Sequence, residues 1–229
     1  MHFGDMTWRQ VEAYLEMDDR VIAIFGACEQ HCGLSLLTDI RIPLEIATRV
    51  AERERVLIAP PLNFGLSAAF RAYPGTVSLG PETFCAAVRE ILRGLYEQGF
   101  KRIMVLNGHG ANTPLASILQ ESGEAHHDLQ LQLVEWWRLP VVVGYAERVG
   151  SEALHANWAE CFSFTRIDQP EGDKPPVALP RFVPGGWLRG VLGDGSFGGH
   201  YQQPDALMDA MLDDIVSEVA RLVREGWPS

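Results

Sequence analysis

The sequence predicts a layered α/β/α fold built around a mostly parallel central sheet. Two short runs, VIAIF at 21–25 and RIMVL at 102–106, are apolar and rich in β-branched residues, the pattern of strands covered on both faces. Segments of helical periodicity alternate with them along the chain. With 229 residues, 47% hydrophobic and 21% charged, the chain has enough apolar side chains to bury such a sheet.

VIAIF is the first strand, and Pro43 to Arg53 follows as a helix with Pro43 at its first position, where a missing N–H is harmless. VLIAPPL at 56–62 is the next strand candidate. Pro81 to Gln98 reads as a helix of about five turns stopped by Gly99. After RIMVL comes a helix from about Thr113 to Ala125, then LQLQLVEWW at 129–137, whose initial alternation places it nearer a sheet edge. SEALHANWAECFSF at 151–164 reads as a helix start with Ser151 as N-cap. The last helix, Pro204 to Glu225, carries Leu207, Met211, Ile215, Val219 and Leu222 on one face. Between 168 and 204 Pro and Gly recur too often for regular elements, and so long a loop reads as a lid, a pocket wall or an oligomer contact, or else as a surface excursion. No repeat or boundary divides the chain, so residues 1–229 are expected to form a single domain.

Charge and cysteine usage narrow the function. Nineteen Lys and Arg against 30 Asp and Glu give a net charge of −11, which opposes general binding to a phosphate backbone, and no nucleic-acid partner is expected. No apolar run approaches the roughly 20 residues of a membrane span, and the opening MHFGDMTWRQ lacks a secretion-signal pattern, so a cytoplasmic protein with no membrane contact is expected. Cys28, Cys32, Cys85 and Cys161 form no CxxC pair and read as reduced thiols; metal ligation by Cys28 and Cys32 stays an open alternative.

The chemistry-bearing residues gather just past the two buried strands. GACEQHCGLSLLTD follows the first and carries Glu29, His31 and Asp39; NGHGAN ends the second and sets His109 between glycines. Each alone also fits a turn hydrogen bond or a helix cap. Together they make a mixed oxygen and nitrogen donor set suited to Zn²⁺, Mn²⁺ or Fe²⁺. NGHGAN lacks the spacing of a phosphate loop, which disfavours a nucleotide-binding reading. His155 and Glu160 lie in the third segment. Five steps along a regular helix set them roughly 140° apart, so they converge only if the backbone there is irregular; Glu160 alone also reads as a solvated helix carboxylate.

EQH…TD at 29–39, YPGTVSL at 73–79, NGHGAN at 107–112 and HANWAE at 155–160 resemble, in order, the motifs of the creatininase (creatinine amidohydrolase) family, and GVLGD at 190–194 is similar to a weaker one. The resemblance implies a creatininase-like layered hydrolase with two divalent metal ions per chain, usually a homohexamer. Carried over position by position, Glu29 and His109 would bind one ion, His31 the other, and Asp39 both. Creatininase has a further glutamate two residues after the NGH histidine, where this chain has Ala111; members with the GHGxN form use instead the glutamate matching Glu160. His155 matches the catalytic histidine, expected to shuttle a proton to the leaving nitrogen, with Glu160 as its catalytic neighbour. Asn107 and Asn112 are expected to brace the turn that aims His109. Ser78, Gly110, Trp158 and Trp187 are candidates to line the substrate site.

This chain departs from the family where substrate is chosen. Gly110 and Ser151 stand where creatininase carries a tyrosine and a tryptophan, and the Glu29–Asp39 spacing is one residue short. The resemblance therefore implies a metal-dependent amidohydrolase that cleaves a C–N bond in a small amide, cyclic amide or formamide by a metal-activated water, with creatinine itself disfavoured. The alternatives are a relative that opens other rings or trims short peptides, and a non-catalytic small-molecule binding subunit that has lost a metal.

Overall fold

The computed structural model describes residues 1–180 and 183–227. Four strands, β1 (Arg20–Phe25), β2 (Leu57–Ile58), β3 (Arg102–Asn107) and β4 (Gln130–Glu135), form a wholly parallel sheet in the order β2-β1-β3-β4. β1 and β3 pair along their full length, from Arg20 opposite Arg102 to Phe25 opposite Asn107.

Both sheet faces are covered because successive side chains leave opposite faces. Ile22, Ile24, Met104 and Leu106 point into one core, shared with α2 (Thr38–Glu54), α5 (Pro140–Val149) and α7 (Asp205–Glu225). Val21, Ala23, Phe25, Ile103 and Val105 point into the other, shared with α1 (Trp8–Leu15), α3 (Pro81–Gln98) and α4 (Leu115–Ala125). Between Arg20 and Arg102 at one end and Asn107 at the other the central strands are thus apolar, whereas β4 at the edge is mostly half-buried. Among the described residues no helix is long and apolar enough to cross a membrane.

The structure corrects several sequence expectations. The second strand shrinks to Leu57–Ile58, because Pro60 and Pro61 remove the donors a longer ladder needs. α2 begins at Thr38, five residues before Pro43, which lies inside the helix. Proline there cannot donate to the carbonyl of Asp39. That carbonyl instead packs against the ends of β1 and β3: a Cβ on Gly26 would fall 2.2 Å from it, and one on Gly108 1.9 Å. These two glycines let the start of α2 seat on the sheet.

No helix begins at Ser151. Gly150 is the left-handed C-cap of α5, and the chain beyond is irregular up to a single 3₁₀ turn at Trp158–Glu160. The stretch 168–204 is more ordered than its composition suggests. It contains α6 (Gly185–Leu192) and two short strands, β5 (Asp173–Lys174) and β6 (Gly199–His200), which pair antiparallel; residues 181–182 of this stretch lie outside the described residues.

Candidate metal centre

The carboxyl ends of β1 and β3 and the first turn of α2 meet at one point, where parallel sheets place their sites. Glu29 and His31 arrive on the segment after β1, Asp39 on α2, His109 on the turn after β3, and all four are buried. The His155–Glu160 segment closes the group. Ala156 adopts φ +56°, and its N–H donates to Oε2 of Glu160 at 2.6 Å. This left-handed residue bends the chain back so that His155 and Glu160 converge, which a regular helix forbids.

Asp39 lies at the centre. Its Oδ1 is 2.9 Å from Nε2 of His31, and its Oδ2 is 2.9 Å from Nδ1 of His109. Glu29 Oε1 stands 3.5 Å from Nδ1 of His109, and Glu160 Oε2 3.9 Å from Nε2 of His31. Candidate ligand atoms therefore fall into overlapping sets, each within 4.8 Å: Glu29, Asp39 and His109; His31, Asp39 and Glu160; Glu29, His31 and His155.

Three oxygens here, both of Glu29 and Oδ2 of Asp39, are buried without a hydrogen-bond partner among the described residues. Asp39 Oδ2 is near His109 but outside hydrogen-bond geometry. Leaving a buried carboxylate oxygen unpaired is costly unless something else meets it. Oxygen and imidazole donors converging on the same space are the chemistry of Zn²⁺, Mn²⁺ or Fe²⁺, so these residues fit divalent cations.

The groups perturb one another strongly. Burial raises the Glu29 carboxyl, opposed by the charge of His109. Burial also raises Glu160, to about 7, against the charge of His31. For Asp39 burial is outweighed by His31 and His109, which hold its carboxyl far below the usual range. Burial lowers His31 and His109, but the neighbouring carboxylates prevail and raise them to about 10 and about 9. His155 is pushed well below the ordinary imidazole value by burial and by the charge of His31.

A cavity of about 500 Å³ opens over the cluster. Its walls include Phe70, Trp137, Leu154, Leu188 and Phe197 beside Glu29, Asp39, His109, His155 and Glu160. Of the four expected substrate contacts only Gly110 lines it. The Ser78 hydroxyl accepts from the N–H of Ser67 and donates to the carbonyl of Leu79, bracing a loop. Trp158 is buried in the core, its indole N–H donating to the carbonyls of Ser151 and Glu152. Trp187 is 48% exposed on α6, while its neighbour Leu188 faces the cavity.

Asn107 accepts from the N–H of His109 at 3.1 Å and donates to the His109 carbonyl at 3.0 Å; Asn112 ties the turn to the carbonyl of Gly26. Sequence reasoning passed over Gln30, whose amide touches His155. The signal was its place between Glu29 and His31.

Fold and site together define a parallel α/β protein with a buried carboxylate–imidazole centre at the carboxyl edge of its sheet. The family profile Creatininase (creatinine amidohydrolase) matches residues 4–223, and the chain belongs to the creatininase family. It is 33% identical over 117 residues to a creatinine amidohydrolase of Pseudomonas putida, covering 48% of this chain and 45% of that protein, so under half of that relative's length is matched. It is 31% identical over 224 residues to a mycofactocin precursor peptide peptidase of Mycobacterium tuberculosis, covering 88% of this chain and 84% of that one. Two creatininase structures, one described as Mn and one as Zn-Zn type, superpose with TM-scores of 0.78 each at 24% identity. They cover all of this chain and 99% and 98% of theirs, a likeness of fold.

Proposed function

We propose that this chain is a divalent-metal-dependent hydrolase of a C–N bond in a small amide, cyclic amide or formamide. One observation carries the reading: the two oxygens of Asp39 face different imidazoles, with Glu29 beside one and Glu160 beside the other. Two cations would fit this set: Glu29 and His109 would hold one, His31 and Glu160 the other, with Asp39 within reach of both. The Mn and Zn-Zn creatininase structures support the choice of metal. Bound there, the cations supply Lewis acidity, lowering the pKa of water toward about 7 and polarising a carbonyl oxygen.

The chain's own residues do the rest. His155 and Glu160 reach the cavity from one segment and are the groups that meet the protons of the reaction. Asn107 and Asn112 hold the turn of His109, keeping its ring aimed. The apolar wall of Phe70, Trp137, Leu154, Leu188 and Phe197 excludes water and favours a substrate with an apolar substituent. Gly110 leaves space in front of Trp137: among the described residues a Cβ there would have only Trp137 Cζ2 nearby, at 3.9 Å. With Gly110 and Ser151 replacing two aromatic residues of creatininase, creatinine is not the expected substrate. A cytoplasmic homohexamer completes the proposal.

A second reading, trimming of a short peptide, is favoured by the extent of the match to the mycofactocin precursor peptide peptidase. One experiment separates the readings. Elemental analysis is expected to find two ions per chain, and a panel of formamides, cyclic amides, creatinine and short peptides to reveal hydrolysis that a chelator removes. The cleaved class chooses between amide and peptide. At most one ion and no cleavage of any panel member overturns both in favour of a binding subunit.

A further inference from the structure

We propose that Gln30 is a positioning residue that fixes His155 as a neutral imidazole with its proton on Nδ1, and that Gly195 is a glycine so that the Gln30 amide can occupy its place. The significance of this for catalysis rests on the reading of His155 as a residue that meets substrate.

Gln30 is 5% exposed, and its amide is oriented by two backbone groups whose roles never change. Its Oε1 accepts the N–H of Cys32 at 3.1 Å, and its Nε2 donates to the carbonyl of Gly195 at 3.0 Å. Rotating the amide by half a turn would set NH₂ against N–H and oxygen against oxygen. The same Nε2 lies 2.9 Å from Nε2 of His155. An amide NH₂ only donates, so His155 Nε2 accepts, and a neutral ring then carries its one proton on Nδ1. Nδ1 faces Glu29, 3.6 Å from Oε1. The ring is held in this pose by stacking on Phe70, with centroids 4.5 Å apart and planes 17° from parallel.

Gly195 completes the relay. It adopts φ +95°, and a Cβ there would fall 1.8 Å from Oε1 and 2.4 Å from Cδ of Gln30. The turn carrying it is tied down on both sides. The Lys174 ammonium donates to the carbonyls of Leu192 and Ser196, each at 2.7 Å, and pairs with Asp194. Asp194 in turn accepts from the Tyr201 hydroxyl at 2.6 Å and the N–H of Ser196 at 3.1 Å. The GVLGD motif thereby acquires a task that its distance from the cation ligands conceals: it presents the Gly195 carbonyl to Gln30. With the Nε2 lone pair engaged, the group His155 has left to offer is its Nδ1–H, on the side of Glu29, in place of the proton-accepting role at Nε2 that a shuttle would use.

The test is the tautomer itself, read by long-range proton–nitrogen NMR on the Zn²⁺-loaded full chain with isotopically labelled histidine, His155 being assigned by its disappearance in His155→Ala. The wild type is expected to show Nδ1–H. Gln30→Met keeps the length but removes the donor and should shift the Nδ1–H to Nε2–H ratio by about tenfold, the worth of one hydrogen bond. Gln30→Glu puts an acceptor opposite Nε2 and should bring a proton there. Gly195→Ala should reproduce Gln30→Met; if it does not fold, the two Gln30 variants decide. Unchanged zinc content and circular dichroism in those variants exclude a general structural loss. Nε2–H in the wild type, or the same tautomer in wild type and both Gln30 variants, overturns the inference. Since no substrate enters the measurement, absence of hydrolysis would overturn the proposed function alone.

Discussion

The two ends of the β1–β3 pair treat charge in opposite ways. At the amino end Arg20 and Arg102 sit side by side in register, and each is matched. Arg20 holds Asp18 through Nε and Nη2 and also donates to the carbonyls of Glu54 and Val223; Arg102 pairs with Asp18 and Asp19. At the carboxyl end Glu29 is 1% exposed, with neither oxygen hydrogen-bonded among the described residues. Satisfied charges near the surface fasten a fold. Buried, unsatisfied ones are retained for something the chain itself does not provide.

If the contrast is right, substitutions at the carboxyl end should remove function while sparing stability, and substitutions at the amino end should do the reverse. The largest effect is expected of His109→Ala, which removes a ring that Asp39 and Glu29 share. Hydrolysis of the panel's best substrate should fall by more than about a hundredfold, beyond the loss usual for residues that only support a ligand. Elemental analysis should find fewer ions per chain. Activity within tenfold of wild type would break the contrast at its strongest point.

Glu29→Gln sharpens it. The substitution keeps the shape and removes a charge that burial already disfavours, so the chelator-treated variant should melt no lower than chelator-treated wild type, while its ion content falls. A lower melting temperature without cations would mean that Glu29 holds the fold together after all. Arg20→Ala is the opposite case: stability to urea should fall by about 1–3 kcal/mol through the bonds lost to Asp18, Glu54 and Val223, with ion content unchanged.

The same contrast explains what could be read from the sequence. β1 and β3 were legible because a strand covered on both faces is apolar along its middle, and Glu29, His31 and His109 were legible because they follow those strands closely, with Asp39 further along the same segment at the start of α2. Helices α1 and α5 were not. α1 is short and leaves Trp8 exposed, and the VVV of α5 has the β-branched look of a strand. The Ser151 N-cap failed because Gly150 ends one helix without a second beginning. The left-handed Ala156 that joins His155 to Glu160 has no local signature, since only the tertiary demand for convergence selects it. Ser78, Trp158 and Trp187 showed polar or aromatic character, yet burial and direction depend on neighbours that spacing does not specify.

The smallest expected effect concerns pH at the amino end. Burial would raise the Asp18 carboxyl, but hydrogen bonds and charge from Arg20, with Arg102 beside it, outweigh burial and hold it below the ordinary carboxylate value. A carboxyl with a lower pKa in the folded chain than in the unfolded one contributes its full stability above the unfolded value. That contribution declines as pH falls through the ordinary carboxylate range toward the folded pKa, because the unfolded chain takes up its proton first. Asp18→Asn cannot take up that proton, so urea stability should fall less steeply with acid in the variant than in wild type, and the gap between them should narrow on acidification. Parallel curves would show that Asp18 feels no net attraction from the two arginines, and the amino end would lose its standing as the satisfied counterpart of the candidate metal centre.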